Sequence, residues 1–496
     1  MNRSHHTASP AHYTGYDELY IDGRWQTGRS SHLVHVTDPY DGTVLADIPG
    51  ASEDDLNQAF ESAKRAQRPW AARSPGERAQ VLRHAYDIVK ARKDEICEWS
   101  IRESGSVGIK AEIEWQAVLD IMEQAVAAPY RVIGHIMPSN IPGKECRVYK
   151  KPLGVVAVIG PWDFAMHLSN RSIAPAVAVG NAVVLKPSSD TPVTGGLMLA
   201  KIYEEAGLPA GVLNVVVGSG SEIGTPFALH PIPRLNSFTG STAVGREIGL
   251  NSMKSPVIKK VALELGGNGP LVILEDADMD VAVNAAVFGK FINQGQICMI
   301  ANRLIVHQAV HDEFVRRFVQ RVKQLKVGDP KDPTTVIGPI INHQQFKGIM
   351  AHIESARKEG AKEMLGGEAK GLVIPPHVFT GVTMKMAIAR EEIFGPVAPI
   401  IKVRDEAEAL RIANDTDAGL TGSVITRDEN RGLAFALQME AGMTHVNDQP
   451  VNDLANNPFG GEKNSGLGRF GGDWIIDEFT TDQWVTVQHQ PRQFPF

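Results

Sequence analysis

The feature that most constrains this fold is an alternation of short apolar runs and helical segments between Leu153 and Leu274. The runs are wholly apolar and rich in valine, and glycine or proline separates each of them from the next helical segment. Strands without polar alternation are buried on both faces, so the pattern predicts a parallel sheet covered by helices. Such sheets bind nucleotides at the carboxyl ends of their strands. The apolar runs are Leu153–Ile159, Ala182–Leu185, Leu213–Val217, Leu235–Phe238 and Val261–Leu265, and Pro192–Ala206 is one of the helical segments.

A second region of the same kind follows. Asp278–Asn293 is predicted to be a helix, Leu304–Val306 a strand and His311–Leu325 a charged amphipathic helix, with further segments to about Thr444. A chain of 496 residues is too long for one ordinary domain. The sequence therefore predicts the α/β class, with two doubly wound parallel-sheet domains that meet near Leu265–Pro270.

The composition is typical of a globular enzyme, since 43% of the residues are apolar and 22% are charged. A formal net charge of -7 without a basic block predicts no nucleic-acid partner. The most apolar stretches, Leu153–Trp162 and Ser172–Leu185, are short and broken by glycine and proline, which favours buried strands over a membrane span. Three cysteines in so long a chain predict reduced thiols and a cytoplasmic location.

The first sixteen residues lack the apolar core of a secretory signal and are too polar to fold alone. We therefore expect residues 1–16 to be a disordered tail. The tail contains His5, His6 and His12, which could bind a metal loosely, but a mobile segment is the simpler interpretation, and no metal site is predicted.

Cys298 is the main candidate for a nucleophile. It follows an apolar helix and a polar, glycine-containing turn at residues 294–296, near the expected domain boundary. A thiol exposed at such a turn is an efficient nucleophile once it is deprotonated. The alternative is a small core residue, which is the interpretation of Cys97 and Cys146. The local sequence leaves both possibilities open for Cys298.

Glu264 lies in an apolar strand that ends in Gly266 and Gly267. A carboxylate buried there is costly unless it is paired or functional. Desolvation would raise its pKa toward neutrality, as a general base requires. The structural alternative is a salt bridge at the end of the strand.

Three glycine-rich segments compete as a phosphate-binding turn. Gly466–Gly471 matches the pattern G-x-G-x-x-G, but it follows a polar segment rather than a strand and is rejected. Gly218–Gly224 follows a strand but has one residue too many for that pattern. Phe238–Gly245 shows strand, turn and helix in order, so its helix start and the Ser241 hydroxyl are the better candidates to hold a pyrophosphate.

Taken together, these segments resemble the aldehyde dehydrogenase superfamily from about Leu19 to Val487. Within the resemblance, the stretch Asp163–Pro175 is similar to the branch that acts on aromatic aldehydes such as benzaldehyde and vanillin. The motifs stand in the family's order: Pro161-Trp-Asp-Phe164, Gly180-Asn-Ala-Val-Val-Leu-Lys-Pro187, Phe238-Thr-Gly-Ser-Thr242, Glu264-Leu-Gly-Gly267, Gln294-Gly-Gln-Ile-Cys298, Glu392-Ile-Phe-Gly-Pro396 and Pro458-Phe-Gly-Gly461.

The resemblance implies three domains. Residues 17–134 and 155–265 would form an NAD(P)-binding domain, residues 266–476 a catalytic domain, and residues 135–154 and 477–496 a small β oligomerisation arm. In the arm, Phe479–Gln488 is typical of an exposed strand, and such a strand calls for a pairing partner. A homodimer or homotetramer is therefore expected.

The resemblance also implies roles for individual residues. Cys298 would form a thioester with the aldehyde, and Glu264 would activate the water that hydrolyses it to the carboxylic acid, without transfer of the acyl group to coenzyme A. Lys186 would hold the adenine ribose, Ser241 the pyrophosphate, and Glu392 with Phe394 the nicotinamide ribose. The cofactor-binding set is Ile159, Trp162, Lys186, Ser189, Gly240, Ser241, Glu392 and Phe394, and the substrate-pocket set is Phe164, Arg171, Ile297, Met299 and Phe459.

Three positions depart from the family's common pattern. Ser189 replaces a glutamate that binds the 2′-hydroxyl, so NAD is the expected cofactor and NADP is expected to be accepted as well. Asp163 replaces the asparagine that donates a hydrogen bond to the oxyanion, so it must be protonated or turn away. Arg171 replaces an apolar or aromatic residue, and it is either a pocket residue or half of a helix-surface ion pair.

Two other functions remain open from the sequence. The substrate could be an aliphatic aldehyde or a semialdehyde instead of an aromatic one. The chain could also be a catalytically idle oligomer that keeps the fold for binding or structure, an alternative supported by Asp163 alone.

Overall fold

The fold is that of a computed structural model, which describes residues 10–496. In the part up to residue 264, the strands and helices are β1 (Leu19–Ile21), β2 (Arg24–Gln26), β3 (Leu33–Thr37), β4 (Val44–Pro49), α1 (Glu53–Ala71), α2 (Pro75–Ala91), α3 (Lys93–Ser104), α4 (Gly108–Arg131), β5 (His135–Met137), β6 (Lys144–Pro152), β7 (Val155–Ile159), α5 (Ala165–Ala178), β8 (Ala182–Lys186), α6 (Met198–Glu205), β9 (Leu213–Val215), α7 (Thr225–Leu229), β10 (Leu235–Thr239), α8 (Thr242–Lys254) and β11 (Lys260–Glu264).

The remaining elements follow in the second part of the chain. They are β12 (Gly269–Ile273), α9 (Met279–Phe291), β13 (Ala301–His307), α10 (His311–Val322), α11 (His343–Lys358), β14 (Lys362–Leu365), β15 (His377–Thr380), α12 (Ala387–Arg390), β16 (Val397–Val403), α13 (Glu406–Asn414), β17 (Ala418–Gly419), β18 (Thr421–Ile425), α14 (Glu429–Ala436), β19 (Met443–Val446), β20 (Glu462–Lys463), β21 (Gly466–Leu467), α15 (Trp474–Glu478) and β22 (Thr480–Gln488).

The first sheet has eight strands in the order β2-β1-β9-β8-β7-β10-β11-β21. The five neighbouring strands β9, β8, β7, β10 and β11 are parallel to one another. Strand β1 pairs antiparallel with β9, and β21 pairs antiparallel with β11. The central strands β7, β8 and β10 are almost wholly buried, as their apolar sequences predict. The carboxyl ends of the parallel strands, including Glu264 at the end of β11, therefore lie along one edge of the sheet.

The second sheet has seven strands in the order β14-β15-β16-β13-β12-β18-β19, and only its edge pair β14–β15 is antiparallel. The chain passes from one large sheet to the other between Glu264 and Gly269. The predicted α/β class with two parallel sheets is confirmed. The predicted helix 278–293 is shorter than expected, because a tight turn at Ile292–Gly295 ends it.

A separate antiparallel sheet has the order β22-β6-β5. Strand β22 pairs with β6 along its full length, from Thr480 opposite Pro152 to Gln488 opposite Lys144. The predicted exposed strand near the end of the chain is confirmed, since most of β22 is exposed. Its first pairing partner is a strand of the same chain, and its other edge carries no strand of the described chain.

Two of the predicted segment boundaries need correction. The tail was predicted to extend to residue 16, but Tyr13 and Tyr16 pack on the fold, and residues 1–9, with His5 and His6, lie outside the described chain. Tyr16 is buried, the Tyr13 N–H donates to Glu95 Oε1 at 2.6 Å, and the Arg92 guanidinium lies 3.5 Å from the centre of the Tyr13 ring. The prediction missed these contacts because their partners are distant in sequence.

The second correction concerns the range 266–476, which does not keep to one sheet. Strand β21 adds to the first sheet, with Gly466 opposite Glu264 and Leu467 opposite Leu263. Ser465 strengthens this crossing, because its carbonyl accepts from the Leu265 N–H at 2.9 Å and its hydroxyl donates to the Gly266 carbonyl at 2.7 Å. Gly466 itself lies in β21 and the next helix, α15, begins only at Trp474, so Gly466–Gly471 is not a turn between a strand and a helix start, in agreement with its rejection as a phosphate-binding turn.

None of the helices within residues 10–496 is both long enough and apolar enough to cross a membrane.

Candidate active site

A cavity of about 250 Å³ lies at the carboxyl ends of β7, β10 and β11. It joins residues that the sequence had placed in separate motifs, and one face of α11 closes it. The lining residues are Pro161, Trp162, Asp163, Thr239, Gly240, Ser241, Glu264, Leu265, Gly266, Cys298, Gln345, Gly348, Ile349, His352, Glu392, Ile393 and Phe394. The position agrees with the general location of ligand sites in parallel sheets.

The nucleophile candidate Cys298 is placed by an unusual turn. Asn293, Gln294 and Gly295 all have positive φ angles, of 51°, 56° and 75°. A Cβ on Gly295 would lie 2.3 Å from the Gly395 carbonyl oxygen, so only glycine fits there. Gly267 is constrained in the same way, because its Cβ would lie 2.2 Å from the Cys298 carbonyl oxygen. These close backbone contacts fix Cys298 beside the end of β11.

Glu264 is fully buried at the end of β11, and both of its carboxylate oxygens have partners. The Cys298 thiol donates to Oε1 at 3.3 Å, and Arg171 Nη2 donates to Oε2 at 2.9 Å. Burial raises the pKa of Glu264, while Arg171 and the thiol lower it. The predicted salt bridge at the strand end is thus present, together with the contact to the thiol that a general base needs.

The surroundings of the Cys298 thiol favour its protonated form. Burial raises its pKa well above the ordinary value, and the neighbouring Glu264, Asp163 and Glu392 raise it further, while Arg171 lowers it. Three acidic groups around one thiol oppose formation of a thiolate. The base nearest to the thiol in the structure is Glu264, whose Oε1 accepts from it at 3.3 Å.

Asp163 is buried in the turn after β7 and faces the same cavity. Burial and the negative charge of Glu264 raise its pKa to about 6, against the opposing effects of Lys110 and of the Phe164 and Asp163 N–H groups. Lys110 is itself buried, with its ammonium 2.5 Å from Glu114 Oε2 and 4.5 Å from the centre of the Phe164 ring. A buried carboxyl among other carboxyls favours the neutral form.

Several predicted cofactor residues meet at the cavity. Helix α8 begins directly after the turn at Gly240, with the Ser241 hydroxyl accepting from the Val244 N–H at 3.4 Å. The first N–H groups of a helix lack partners within it and attract anions. Across the cavity, Glu392 accepts from the Gly267 N–H at 2.9 Å. Trp162 and Phe394 lie edge to face, with ring centres 5.2 Å apart.

The other predicted cofactor residues lie outside the cavity lining. Ile159 and Lys186 are neighbours in register at the ends of β7 and β8. Lys186 is nearly buried and its ammonium donates to the Pro187 carbonyl at 3.2 Å. Burial lowers its pKa to about 8, although Asp190 opposes this. Ser189 follows β8 and is partly exposed.

None of the five predicted substrate-pocket residues lines this cavity. Ile297 and Met299 are buried beside Cys298 in the chain, and Phe164 is buried against Lys110. Arg171 corrects one interpretation, because its ion pair with Glu264 is buried and not on a helix surface. The rings of Phe459 and Phe470 lie against its guanidinium, with centres 4.4 and 4.7 Å away.

The sequence reasoning missed several groups of the site. His167 and Asp453 continue the network beyond Arg171, and Lys290 is a fully buried lysine whose pKa is lowered to about 7 by burial, against the effect of Glu392. A signal did exist for α11, because its lining residues Gln345, Gly348, Ile349 and His352 follow a helical spacing. No local pattern distinguishes Asp453.

Comparison with known proteins agrees with this geometry. The sequence model of the aldehyde dehydrogenase family matches residues 25–485. The chain belongs to the aldehyde dehydrogenase family. A vanillin dehydrogenase of Corynebacterium glutamicum is 51% identical, over 94% of this chain and 97% of that protein. A benzaldehyde dehydrogenase of Bacillus subtilis is 46% identical, over 97% and 99% of the two chains.

A solved structure of an aldehyde dehydrogenase gives the same result. The NAD-dependent benzaldehyde dehydrogenase of Corynebacterium glutamicum superposes with a TM-score of 0.88 at 48% identity, covering 95% of this chain and 98% of that chain. This aldehyde dehydrogenase is therefore an oxidoreductase that acts on aldehydes, and its fold is that of the family throughout.

Proposed function

We propose that this aldehyde dehydrogenase uses NAD to oxidise an aromatic aldehyde to the carboxylic acid through a thioester on Cys298. The observation that carries the proposal is the contact between the Cys298 thiol and the Glu264 carboxylate, 3.3 Å apart at the wall of one cavity. A nucleophile within reach of a buried base is the arrangement that covalent catalysis requires.

The chain's own groups account for the proton transfers. Glu264 takes the proton of the Cys298 thiol, and the thiolate adds to the aldehyde carbon to form a tetrahedral alkoxide. When this adduct has lost its hydride it is a thioester. Glu264 releases the thiol's proton to solvent before it takes a proton from water. The resulting hydroxide adds to the thioester carbon and displaces the Cys298 thiolate, which is reprotonated as the carboxylic acid is released. Acyl transfer to coenzyme A is not required.

The cavity fits a nicotinamide dinucleotide. The first turn of α8, at Thr242 and Ala243 after the N-cap Ser241, would offer its N–H groups to the pyrophosphate, while the Gly240 N–H is already bonded to the Glu264 carbonyl at 3.0 Å. The carboxyl of Glu392 faces the same cavity as a partner for ribose hydroxyls. Lys186 and Ser189 follow β8 and would hold the adenine ribose. When bound, the nicotinamide supplies the hydride acceptor. NAD is favoured by the relatives, and Ser189 lacks the charge that would repel NADP.

The substrate class rests on relatives and on sequence. The vanillin and benzaldehyde dehydrogenases named above match nearly the whole chain, and Asp163–Pro175 has the pattern of that branch. Phe164, Ile297, Met299 and Phe459, buried near the nucleophile, are proposed to bound the side on which the aldehyde enters. A succinate-semialdehyde dehydrogenase of Arabidopsis thaliana is 38% identical, so semialdehydes belong in the substrate panel.

Asp163 is proposed to serve as a neutral oxyanion donor. An ionised carboxylate has no proton to donate and would repel the alkoxide, whereas a protonated one donates as an asparagine amide does. The raised pKa of Asp163, due to burial and Glu264, supports this role.

The chain is proposed to form a homodimer or homotetramer through the sheet of β5, β6 and β22. Edge strand β22 is exposed, and the exposed apolar side chains of this sheet include Ile136 and Trp484, which are 78% and 70% exposed. Exposed strand edges and apolar groups of this kind favour pairing with another chain. In this scheme the first sheet is the cofactor domain and the second the catalytic domain.

The test separates the two chemical roles. Cys298→Ala should abolish NADH formation with benzaldehyde while NAD still binds, as measured by fluorescence titration, because the nucleophile is lost and the cofactor side of the cavity is kept. Cys97→Ala is the matched control and should keep wild-type activity. Glu264→Gln should accumulate an acyl-enzyme, seen as added mass on Cys298. An active Cys298→Ala enzyme would refute the thioester, and wild-type turnover of Glu264→Gln would refute the base.

A further inference from the structure

Arg171 is a buried cation in direct contact with the catalytic base. It lies on α5 with its side chain 1% exposed, and its Nη2 donates to Glu264 Oε2 at 2.9 Å. Its other terminal nitrogen, Nη1, donates to Asp453 Oδ2 at 3.3 Å. A buried guanidinium needs hydrogen-bonded carboxylate partners of this kind, because the transfer of its charge out of water is costly.

The network continues past Asp453. The same Oδ2 atom lies 2.9 Å from His167 Nε2, and His167 lies one helical turn before Arg171 on α5. The guanidinium plane also contacts two aromatic rings, Phe459 at 4.4 Å and Phe470 at 4.7 Å. Arg171 is therefore held from several directions, and Glu264 is the one contact that leads to the reacting atoms.

The orientation of the base follows from these contacts. Glu264 has two carboxylate oxygens, and Arg171 occupies Oε2 while the Cys298 thiol occupies Oε1. Fixing one oxygen on a rigid guanidinium leaves the other directed at the thiol. We propose that Arg171 is the positioning residue of this site, which holds the Glu264 carboxylate as an anion directed at Cys298, with Asp453 and His167 as its own anchor.

This inference rests on the proposed role of Glu264 as the base. The charged and titratable groups that face Glu264 are Arg171, Asp453, Asp163, Glu392 and the Cys298 thiol. Most of them are acidic, and burial already raises the pKa of Glu264. Arg171 is the cation that opposes them, so without it Glu264 would bind a proton and lose its function as a base.

Replacing Arg171 and replacing Asp453 should shift the pH dependence of deacylation in opposite directions. Arg171→Met removes the cation, which raises the pKa of Glu264, so the acid limb of deacylation should move to higher pH. Asp453→Asn keeps an oxygen for Arg171 but removes a negative charge that raises the pKa of Glu264, so this limb should move to lower pH. A residue with a merely structural role would not produce opposite shifts.

The experiment uses p-nitrophenyl acetate, which acylates a thiol without cofactor. The burst of p-nitrophenolate reports acylation and the steady phase reports hydrolysis of the acyl-enzyme. In Arg171→Met the acid limb of the steady-phase rate should shift to higher pH by about 1–3 units. At a fixed pH on that limb, the steady-phase rate should therefore be about tenfold to thousandfold lower than in the wild type. Arg171→Lys should recover part of the loss. Asn452→Ala, in the same loop as Asp453, is the control and should keep the wild-type profile.

Several results would overturn the inference. One is an unmoved acid limb in both Arg171→Met and Arg171→Lys. Another is a rise in KM without a change in kcat, if the size of that rise depends on the ring substituents of the aldehyde, because Arg171 would then contact the substrate. A third is a residual acid limb in Glu264→Gln that Arg171→Met still shifts, because Arg171 would then act through a group other than Glu264. Failure of the proposed function is distinguished by the wild type itself, which would then form no NADH from benzaldehyde.

Discussion

Replacing Asp163 with asparagine should convert a pH-dependent oxyanion donor into a pH-independent one. The carboxyl donates a hydrogen bond only when protonated, whereas an amide donates at every pH. Burial and Glu264 raise the pKa of Asp163 to about 6. The wild type therefore loses its donor as the pH rises through that value, and Asp163→Asn does not.

The magnitude follows from the fraction of Asp163 that is protonated. With a pKa of about 6, about one molecule in ten is protonated at pH 7 and about one in a hundred at pH 8. Because Glu264 takes the proton of the thiol directly, formation of the thiolate does not change the comparison between the two enzymes. Acylation by the wild type should therefore fall about tenfold per pH unit in this range relative to Asp163→Asn, whose amide donates at every pH.

The assay is the pre-steady-state burst of NADH with benzaldehyde, measured from pH 5.5 to pH 8.5 in both enzymes. The ratio of the Asp163→Asn rate to the wild-type rate should rise about tenfold per pH unit above pH 6, toward the roughly 10²–10³ that one oxyanion donor contributes. Asp448→Asn, at an exposed carboxylate, should give a constant ratio. A constant ratio for Asp163→Asn between pH 6 and pH 8 would refute the role and leave Asp163 as an acceptor for backbone N–H groups.

Two further predictions concern cofactor choice and assembly. Ser189→Glu should raise the KM for NADP about tenfold or more and change the KM for NAD little, because a carboxylate repels the 2′-phosphate. Ser189→Gln is the neutral control. A wild type without NADP activity would contradict the reasoning. Trp484→Lys should lower the mass in light scattering by placing a charge in the proposed interface, while Trp474→Lys, at an exposed tryptophan outside the arm, should not; an unchanged mass for Trp484→Lys would exclude that contact.

Much of the fold was predictable because its signals are local. The valine-rich runs that became β7 and β8 are buried on both faces, and that burial is visible in their composition. The two-residue strands β20 and β21 could not be predicted, because so short an element has no periodicity. Their conformation comes from pairing with distant residues, as Gly466 does with Glu264.

The site divides in the same way. Cys298 and Glu264 stood out because a thiol at a polar turn and a carboxylate in an apolar strand are exceptions to local rules. Asp453, a partner of Arg171, did not stand out, since it lies 282 residues away in an irregular loop. Sequence reasoning gave Arg171 an ion pair or a pocket role, but the burial of the pair is a property of the packed molecule.

Strand β21, which pairs with β11 at the edge of the first sheet, has a consequence for the order of folding. The Ser465 hydroxyl and the Gly266 carbonyl are 199 residues apart in the chain. Synthesis delivers the N-terminal parts first, and contacts between distant residues form late. On the ribosome, β11 therefore emerges as an open sheet edge and keeps that edge until nearly the whole chain has been made. A nascent chain that ends before Ser465 would contain both Cys298 and Glu264 without the strand that covers them, so we expect it to be inactive and to depend on chaperones.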